Sequence, residues 1–510
     1  MGVVGEMEQL VSNELRTSMY TIYADLPDDR ESMLLVHGYS GAYDRVSRGV
    51  GEYIRSLDVR APKPLYGEWT DAAGDPGAVT RPADATIEHL KKRGYLTSMT
   101  RDQERARFAN LARVHHAKSR VKLPDYILMP TYDCNLRCDY CFQDHMRRDA
   151  AYSHLLRFMT PKVVDRILKA MPVIEERHEV SAGPESPRNI VFFGGEPFLA
   201  RGRKLVEYIM DGVRALGPVK FSGVSNATEL DAYADLLGPD GIATLQITID
   251  GPKARHDGRR IYADGSGSYD RIVANVDLAL ARGVHVDIRM NLDRSNIGEV
   301  PELVASFEAR GWFARRGFTV WAAPIHAYAS VDRKTTFNSN QLVHAIRALY
   351  DEHPVLRKVS LPDDILLTRM RAVLRGADPL RKLKSSYCGA HSQMYIFDAF
   401  ADIYACWERT GDANVRIGWV DENGRPELLE DRVKHWRDRS VTTNETCGQC
   451  RYALHCGGGC AVLAESVHGT IYSNYCDAFG RRFRETLALA YAELGTAVPV
   501  DERVAALRAL

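Results

Sequence analysis

The chain has 510 residues, 45% of them hydrophobic and 26% charged, with 67 Lys plus Arg balanced by 67 Asp plus Glu. This composition excludes disorder as the main state and allows about three domains. The zero formal charge excludes a strong whole-chain field for nucleic acid or an anionic membrane. No apolar run of about 18 residues predicts a membrane-spanning helix.

In chain order, the N-terminus MGVVGEMEQL carries Glu6 and Glu8 where an export signal would be basic and then apolar, and Glu6 breaks a myristoylation motif on Gly2. A cytoplasmic location is expected. Residues 1–115 read as a small α/β unit. Segments 20–23 and 32–37 alternate as strands, with Gly38 and Gly41 turning the chain afterwards. Segments 50–57 and 87–92 read as helices, the second closed by Gly94. The stretch 71–84, rich in Gly, Pro and Asp, reads as a loop, and a charged helix over 101–116 leads onward.

From 116 to 330 strands alternate with helices. The strands are expected at 126–129, 189–193, 219–224, 244–249, 284–290 and 318–323, with helices between them at 161–171, 204–216, 269–282 and 300–310. Such alternation predicts a parallel sheet of βα units, whose ligands lie at the carboxyl ends of the strands. Residues 331–385 read as a polar helical bridge, 386–480 as a cysteine-rich region and 481–510 as a C-terminal helix. Phe479, Phe483, Leu487 and Tyr491 recur every four residues and predict one apolar face.

Ten cysteines carry the chemical information. Cys134, Cys138 and Cys141 follow the first strand of the parallel region; Cys388, Cys406, Cys447, Cys450, Cys456, Cys460 and Cys476 follow much later. A large chain without an export signal makes disulfides a poor reading, and the tight spacings favour metal ligation. Three thiolates spaced Cys-x3-Cys-x2-Cys suit three irons of a cubane and leave its fourth iron open. A zinc site completed by His145 is the plainer alternative.

These residues carry a resemblance. The first cysteine motif, with Tyr140 before its last Cys, is followed by Gly194-Gly195-Glu196-Pro197, by Ile249-Asp250-Gly251-Pro252 and by His256-Asp257-Gly258-Arg259-Arg260. Over about 120–480 the chain resembles radical S-adenosylmethionine (SAM) enzymes with a C-terminal auxiliary-cluster region called SPASM. The resemblance implies an α/β fold: a partial (β/α)6 TIM-like barrel, an N-terminal winged-helix-like peptide-recognition domain and a C-terminal iron–sulfur domain. It implies a [4Fe–4S] cluster on Cys134, Cys138 and Cys141 that binds SAM through its open iron. Gly194, Gly195, Glu196 and Pro197 would receive the SAM amino group, with further contacts from Ser225, Asn226, Thr248 and Arg289. His256, Asp257 and Arg260 read as a loop ion-pair network. Auxiliary cluster I would use Cys388, Cys406 and Cys460, and auxiliary cluster II would use Cys447, Cys450, Cys456 and Cys476. Three cubanes with one iron given to SAM want one more thiolate than the chain has, so auxiliary cluster I is expected to carry a non-cysteine or open ligand position.

The function implied is peptide maturation. A 5′-deoxyadenosyl radical would abstract hydrogen from a precursor-peptide residue, and oxidation would install a thioether, C–C or C–O cross-link. The N-terminal domain would bind the leader of the precursor peptide, and a flavodoxin or ferredoxin would donate electrons. Neither nucleic acid nor membrane is an expected partner. Glu408 and Asp412, shortly after Cys406, are candidate general bases. Two alternatives stand beside this reading: oxidation of a Cys or Ser side chain on a protein, as in anaerobic sulfatase maturases, and a non-catalytic zinc-binding interaction module.

Overall fold

The structure is a computed structural model that describes residues 15–58, 79–326 and 334–497. The expectations for the first ten residues, for most of the loop 71–84, for the start of the bridge at 331–333 and for the helix beyond 497 lie outside the described residues. Among the described residues no helix is long and apolar enough to cross a membrane.

Two short strands, β1 (Arg16–Thr17) and β5 (Leu96–Thr97), pair antiparallel. Between them β2 (Thr21–Asp25), β3 (Ser32–His37) and β4 (Tyr43–Ser47) form a meander with β3 in the centre. β4 was not expected from the sequence, because Asp44, Arg45 and Ser47 give it a polar reading; it is an edge strand, where polar residues are tolerated. One face of this sheet, including Tyr23, Met33 and Leu35, packs on Ile54, Ile87 and Leu90 of its own helices. The other face, including Ile22, Leu34 and Val36, packs on Phe483 and Leu487 of helix Phe479–Ala497. The four-residue apolar stripe of the terminal helix thus faces the N-terminal sheet.

The main sheet has ten strands. β6 (Asp125–Leu128), β7 (Arg188–Phe192), β8 (Val219–Ser225), β9 (Ile242–Thr248), β10 (His285–Leu292) and β11 (Phe318–Pro324) are parallel and lie in chain order. Tyr126 stands opposite Ile190, Phe192 opposite Gly223, and Arg289 between Thr248 and Trp321. The sheet does not stop at β6. β12 (Met394–Phe397) adds parallel to β6, and β13 (Asp402–Tyr404), β14 (Gly418–Val420) and β15 (Pro426–Leu428) extend it antiparallel. Sequence reading did not anticipate these four strands, which are only three or four residues long. They join both cysteine regions to one sheet and one core, in which Ile127, Phe192 and Ile288 are continuous with Phe397, Ile403 and Val420.

The helix expected to end at residue 171 runs from Pro161 to Arg177 through Pro172. Thr160 caps it by accepting from the Val163 N–H. Proline in a helix interior removes one backbone bond; burial beyond it offsets the loss. Ile174 is buried, and the Glu175 carboxylate accepts from Nε and Nη2 of the buried Arg188 at 2.7 and 2.9 Å.

Asp398, at the end of β12, ties the new strands to the first cysteine loop. Its carboxylate accepts from the Tyr132 hydroxyl at 3.0 Å and from the Phe400 and Asp402 N–H groups at 2.9 and 3.0 Å. Burial, helped by the Asp402 charge, pushes the Asp398 carboxyl up from 3.8 to about 7. The fold therefore holds this proton to higher pH than the unfolded chain does. The stability it contributes is full below the unfolded value, falls as pH rises through the window up to about 7, and is level above. Asp398→Asn should remove that slope: its melting temperature, measured relative to the parent, should climb across the window and then stay constant. A pH-independent difference would contradict the assignment.

Candidate functional site

The carboxyl ends of β6 to β9 meet around the loop that carries Cys134, Cys138 and Cys141. The loop is fixed by its own backbone. Met159 and Gly195 donate N–H groups to Pro130 and Thr131 at 2.7 and 3.1 Å, and Glu196 donates to the Asp133 carbonyl at 2.8 Å. A Cβ on Gly195 would collide with the Tyr132 and Asp133 carbonyls. The Gly194-Gly195 pair is therefore required by the close approach of two loops of this chain, and not only by approach of a ligand.

Burial raises the Cys134 thiol to about 12 and the Cys138 thiol to about 11. The surroundings supply compensating donors. Arg147 donates to the Cys141 sulfur at 3.1 Å, Asn226 to the Cys134 sulfur at 3.6 Å, and the Leu136 N–H to Cys134 at 3.4 Å. The positive charge of Arg260 acts on Cys138. Gln143 Nε2, Arg147 Nε and Arg260 Nε are buried and have no hydrogen-bond partner among the described residues. Three thiols facing an excess of buried donors fit an anionic iron–sulfur group better than three neutral thiols.

Glu196 is buried and accepts from Ser225 Oγ at 2.8 Å, from the Asn226 N–H at 2.6 Å and from the Phe198 N–H at 3.0 Å. Burial still pushes its carboxyl up to about 7. Ser225 and Asn226 thus connect the Gly-Gly turn to Cys134. Thr248 is buried at the end of β9, and the Arg289 guanidinium bonds Asn291 at 2.7 Å and lies 4.9 Å from the Trp321 ring. Pro197 is buried beside Phe198 and Leu199.

Several contributors were missed or misread. Asp250 is fully buried; it accepts from the Asn291 N–H at 2.8 Å and from the Tyr140 hydroxyl. Arg260 donates to the same hydroxyl at 2.7 Å. Arg260 therefore belongs to the cysteine loop and not to a surface ion-pair network, whereas His256 and Asp257 bond Ser268 and the Tyr269 N–H. His145, the proposed zinc ligand, is exposed, bonds the Phe142 carbonyl and stands edge-on to Tyr152.

All ten cysteines are free thiols. Among the described residues no group of three or more His, Cys, Asp or Glu is arranged to hold a metal ion. The later cysteines fall into two neighbourhoods. Burial and the charges of Glu408, Cys388 and Cys460 hold the Cys406 thiol well above its ordinary range. Burial and the charges of Cys450, Cys456 and Cys476 do the same for Cys447. Donors again point at sulfur: Asn474 reaches Cys476 at 3.1 Å and the Tyr452 N–H reaches Cys450 at 3.4 Å. Glu408 stands beside Cys406 and Cys460, but Asp412 is exposed and spends its carboxylate on the Asn414 N–H. Trp407, 41% exposed, lies 5.8 Å from the Phe193 ring, which immediately precedes Gly194. The Cys406 segment and the Gly194 turn thus touch through one aromatic pair.

Residues 128–307 match the family model described as the Radical SAM superfamily. The cysteine-type anaerobic sulfatase-maturating enzyme of Clostridium novyi (strain NT) is 22% identical over 370 residues, 70% of this chain and 93% of its own. Native anSMEcpe with bound AdoMet has the same fold over 74% of this chain and 100% of its own, at TM-score 0.55 and 16% identity. Streptococcus suis SuiB bound to precursor peptide SuiA aligns over 90% of this chain and 98% of its own, at TM-score 0.47 and 12% identity.

Gly195→Ala tests the loop packing. It should displace the first cysteine loop, so that the protein loaded anaerobically with iron and sulfide binds less iron than the parent while the far-ultraviolet spectrum stays unchanged. Full iron content would show that the loop tolerates the methyl group.

Proposed function

We propose that this radical SAM enzyme, with its SPASM-like auxiliary region, oxidises a Cys or Ser side chain on a peptide or protein substrate. Side-chain oxidation takes precedence over the cross-linking chemistry that the sequence put first, because the relative covering 70% of the chain is a cysteine-type sulfatase-maturating enzyme. The observation that carries the reading is the Phe193–Trp407 contact, which sets the Cys406 region against the turn of Gly194 and Gly195. A site for removing hydrogen and a site for removing an electron would then border one cleft.

When bound, SAM and the iron–sulfur groups would supply a 5′-deoxyadenosyl radical and an electron acceptor. Cys134, Cys138 and Cys141 would hold the first cluster, with Arg147 and Arg260 offsetting its charge. Gly194 to Pro197, Ser225, Asn226, Thr248 and Arg289 would hold SAM, with Glu196 anchored as the keystone of that wall. Cys388, Cys406 and Cys460 would hold auxiliary cluster I, leaving one position without a cysteine; Cys447, Cys450, Cys456 and Cys476 would hold auxiliary cluster II. Glu408 would take the substrate proton. A flavodoxin or ferredoxin would supply electrons. The parallel strands would form the partial barrel and β2 to β4 a winged-helix-like unit.

Cross-linking of a precursor peptide is the second reading. It is favoured by the N-terminal meander, whose outer strand β4 pairs, among the described residues, with β3 alone and offers an edge to which a leader strand can add.

Anaerobic protein given SAM, dithionite and a panel of Cys- or Ser-bearing peptides should release 5′-deoxyadenosine and yield a carbonyl that a hydrazide reagent traps. A product that resists the hydrazide and fragments as a bridged peptide would favour the second reading. The intact chain should oxidise a short leader-free peptide within about threefold of the rate for a leader-bearing one; turnover that requires the leader would favour the second reading. Glu408→Gln should lower product at least about tenfold while deoxyadenosine release continues; undiminished product would remove Glu408 as the base.

A further inference from the structure

The N-terminal sheet unit packs on helix Phe479–Ala497 and, beside it, on one short segment, residues 447–452. The Tyr20 hydroxyl donates to the Gly448 carbonyl at 2.6 Å, and its ring stacks on Phe108 with centroids 4.6 Å apart. Gly38, just after β3, is pressed so closely on the Arg451 carbonyl that a Cβ there would collide with it. Arg451 pairs with Asp58 at 3.1 Å, with side chains only 3% and 13% exposed, and its guanidinium lies 5.4 Å from the Tyr23 ring. Cys447 packs in one apolar cluster with Tyr20, Tyr39 and Phe108, and Cys450 borders it. Tyr452 packs in another with Ile22, Leu34 and Val36. Besides the terminal helix, the N-terminal unit therefore touches Gly448, between two thiols, and Arg451 and Tyr452, just after the second.

We infer that the Cys447–Cys450 loop is a ligation-dependent seat: binding of metal by its thiolates fixes the loop, and the fixed loop docks the N-terminal unit. This rests on the reading of Cys447, Cys450, Cys456 and Cys476 as ligands of one cluster. The physical reason is linkage. A group that binds only the docked arrangement stabilises it. An unligated loop of four residues, with one buried and one half-buried thiol and no regular structure beyond one helical turn at Glu445–Gly448, holds its carbonyls less firmly. The carbonyls of Gly448 and Arg451 are the ones the N-terminal unit uses. A chain lacking this cluster would then present its N-terminal sheet loosely, even though the sheet's own core of Tyr23, Met33, Leu35 and Ile54 is intact.

Hydrogen exchange on the full-length protein, read by mass spectrometry beside iron content, tests this. Cys476→Ser removes a ligand outside the seat. It should lower iron and speed exchange of peptides spanning 15–58 and 445–452 by about tenfold or more, with β7 to β10 unchanged. Cys138→Ser, which should cost iron at the other site, should leave exchange in 15–58 at the parent rate. Tyr20→Phe in the metal-loaded protein should speed exchange in 445–452 with iron intact. Lower iron in Cys476→Ser with unchanged exchange over 15–58 overturns the seat, as does equal loosening in Cys138→Ser. Undiminished iron in Cys476→Ser overturns the ligand reading and the inference with it.

Discussion

The structure depends on one close approach: the turn Gly194–Glu196 against the carbonyls of Thr131, Tyr132 and Asp133. Two backbone bonds and the absence of a Cβ on Gly195 bring the ends of β6 and β7 together. Everything chemically distinctive follows from that contact. It orients the loop of Cys134, Cys138 and Cys141. It also places Glu196 under Ser225 and Asn226, so that the end of β8 joins the same wall. The cost is a carboxyl buried at the floor of the site, which three hydrogen bonds offset only in part.

The main sheet carries this contact to the second cysteine region without a break. β12 pairs with β6 on the side opposite β7. Tyr132 in the first loop and Asp398 after β12 share a hydrogen bond across 266 positions of sequence. A displacement of either loop is thus felt by the other, because β6 and β12 are directly paired strands. An auxiliary region attached in this way has a fixed distance to the first cysteines.

The sequence made the parallel strands legible because apolar residues recur through each and helices alternate with them. It made the cysteine groups legible because their spacing is local. Other features were not legible for a common reason: they depend on pairings between distant segments. Short strands such as Asp402–Tyr404 have too few residues to show a period. Asp250 and Arg260 were visible as motif letters, but only the fold brings them to the Tyr140 hydroxyl. The bond from Tyr20 to Gly448 spans 428 positions, and no local pattern announces it. Asp412 illustrates the converse: closeness in sequence to Cys406 says nothing about direction, and a turn claims its carboxylate.

Among the seven later cysteines Cys388 and Cys447 sit in contrasting environments, while the other five are half-buried. Cys388 is exposed and Cys406 is followed by a half-exposed tryptophan that reaches the Gly194 turn, so this neighbourhood opens toward the cleft. Cys447 is buried with Tyr20 and Phe108, and the segment around it faces the N-terminal unit. Under the ligand sets proposed above, the position without a cysteine would fall beside the exposed Cys388, where a substrate could reach it, and the set complete in cysteine would include the buried Cys447, where its bonds would stabilise what packs around it.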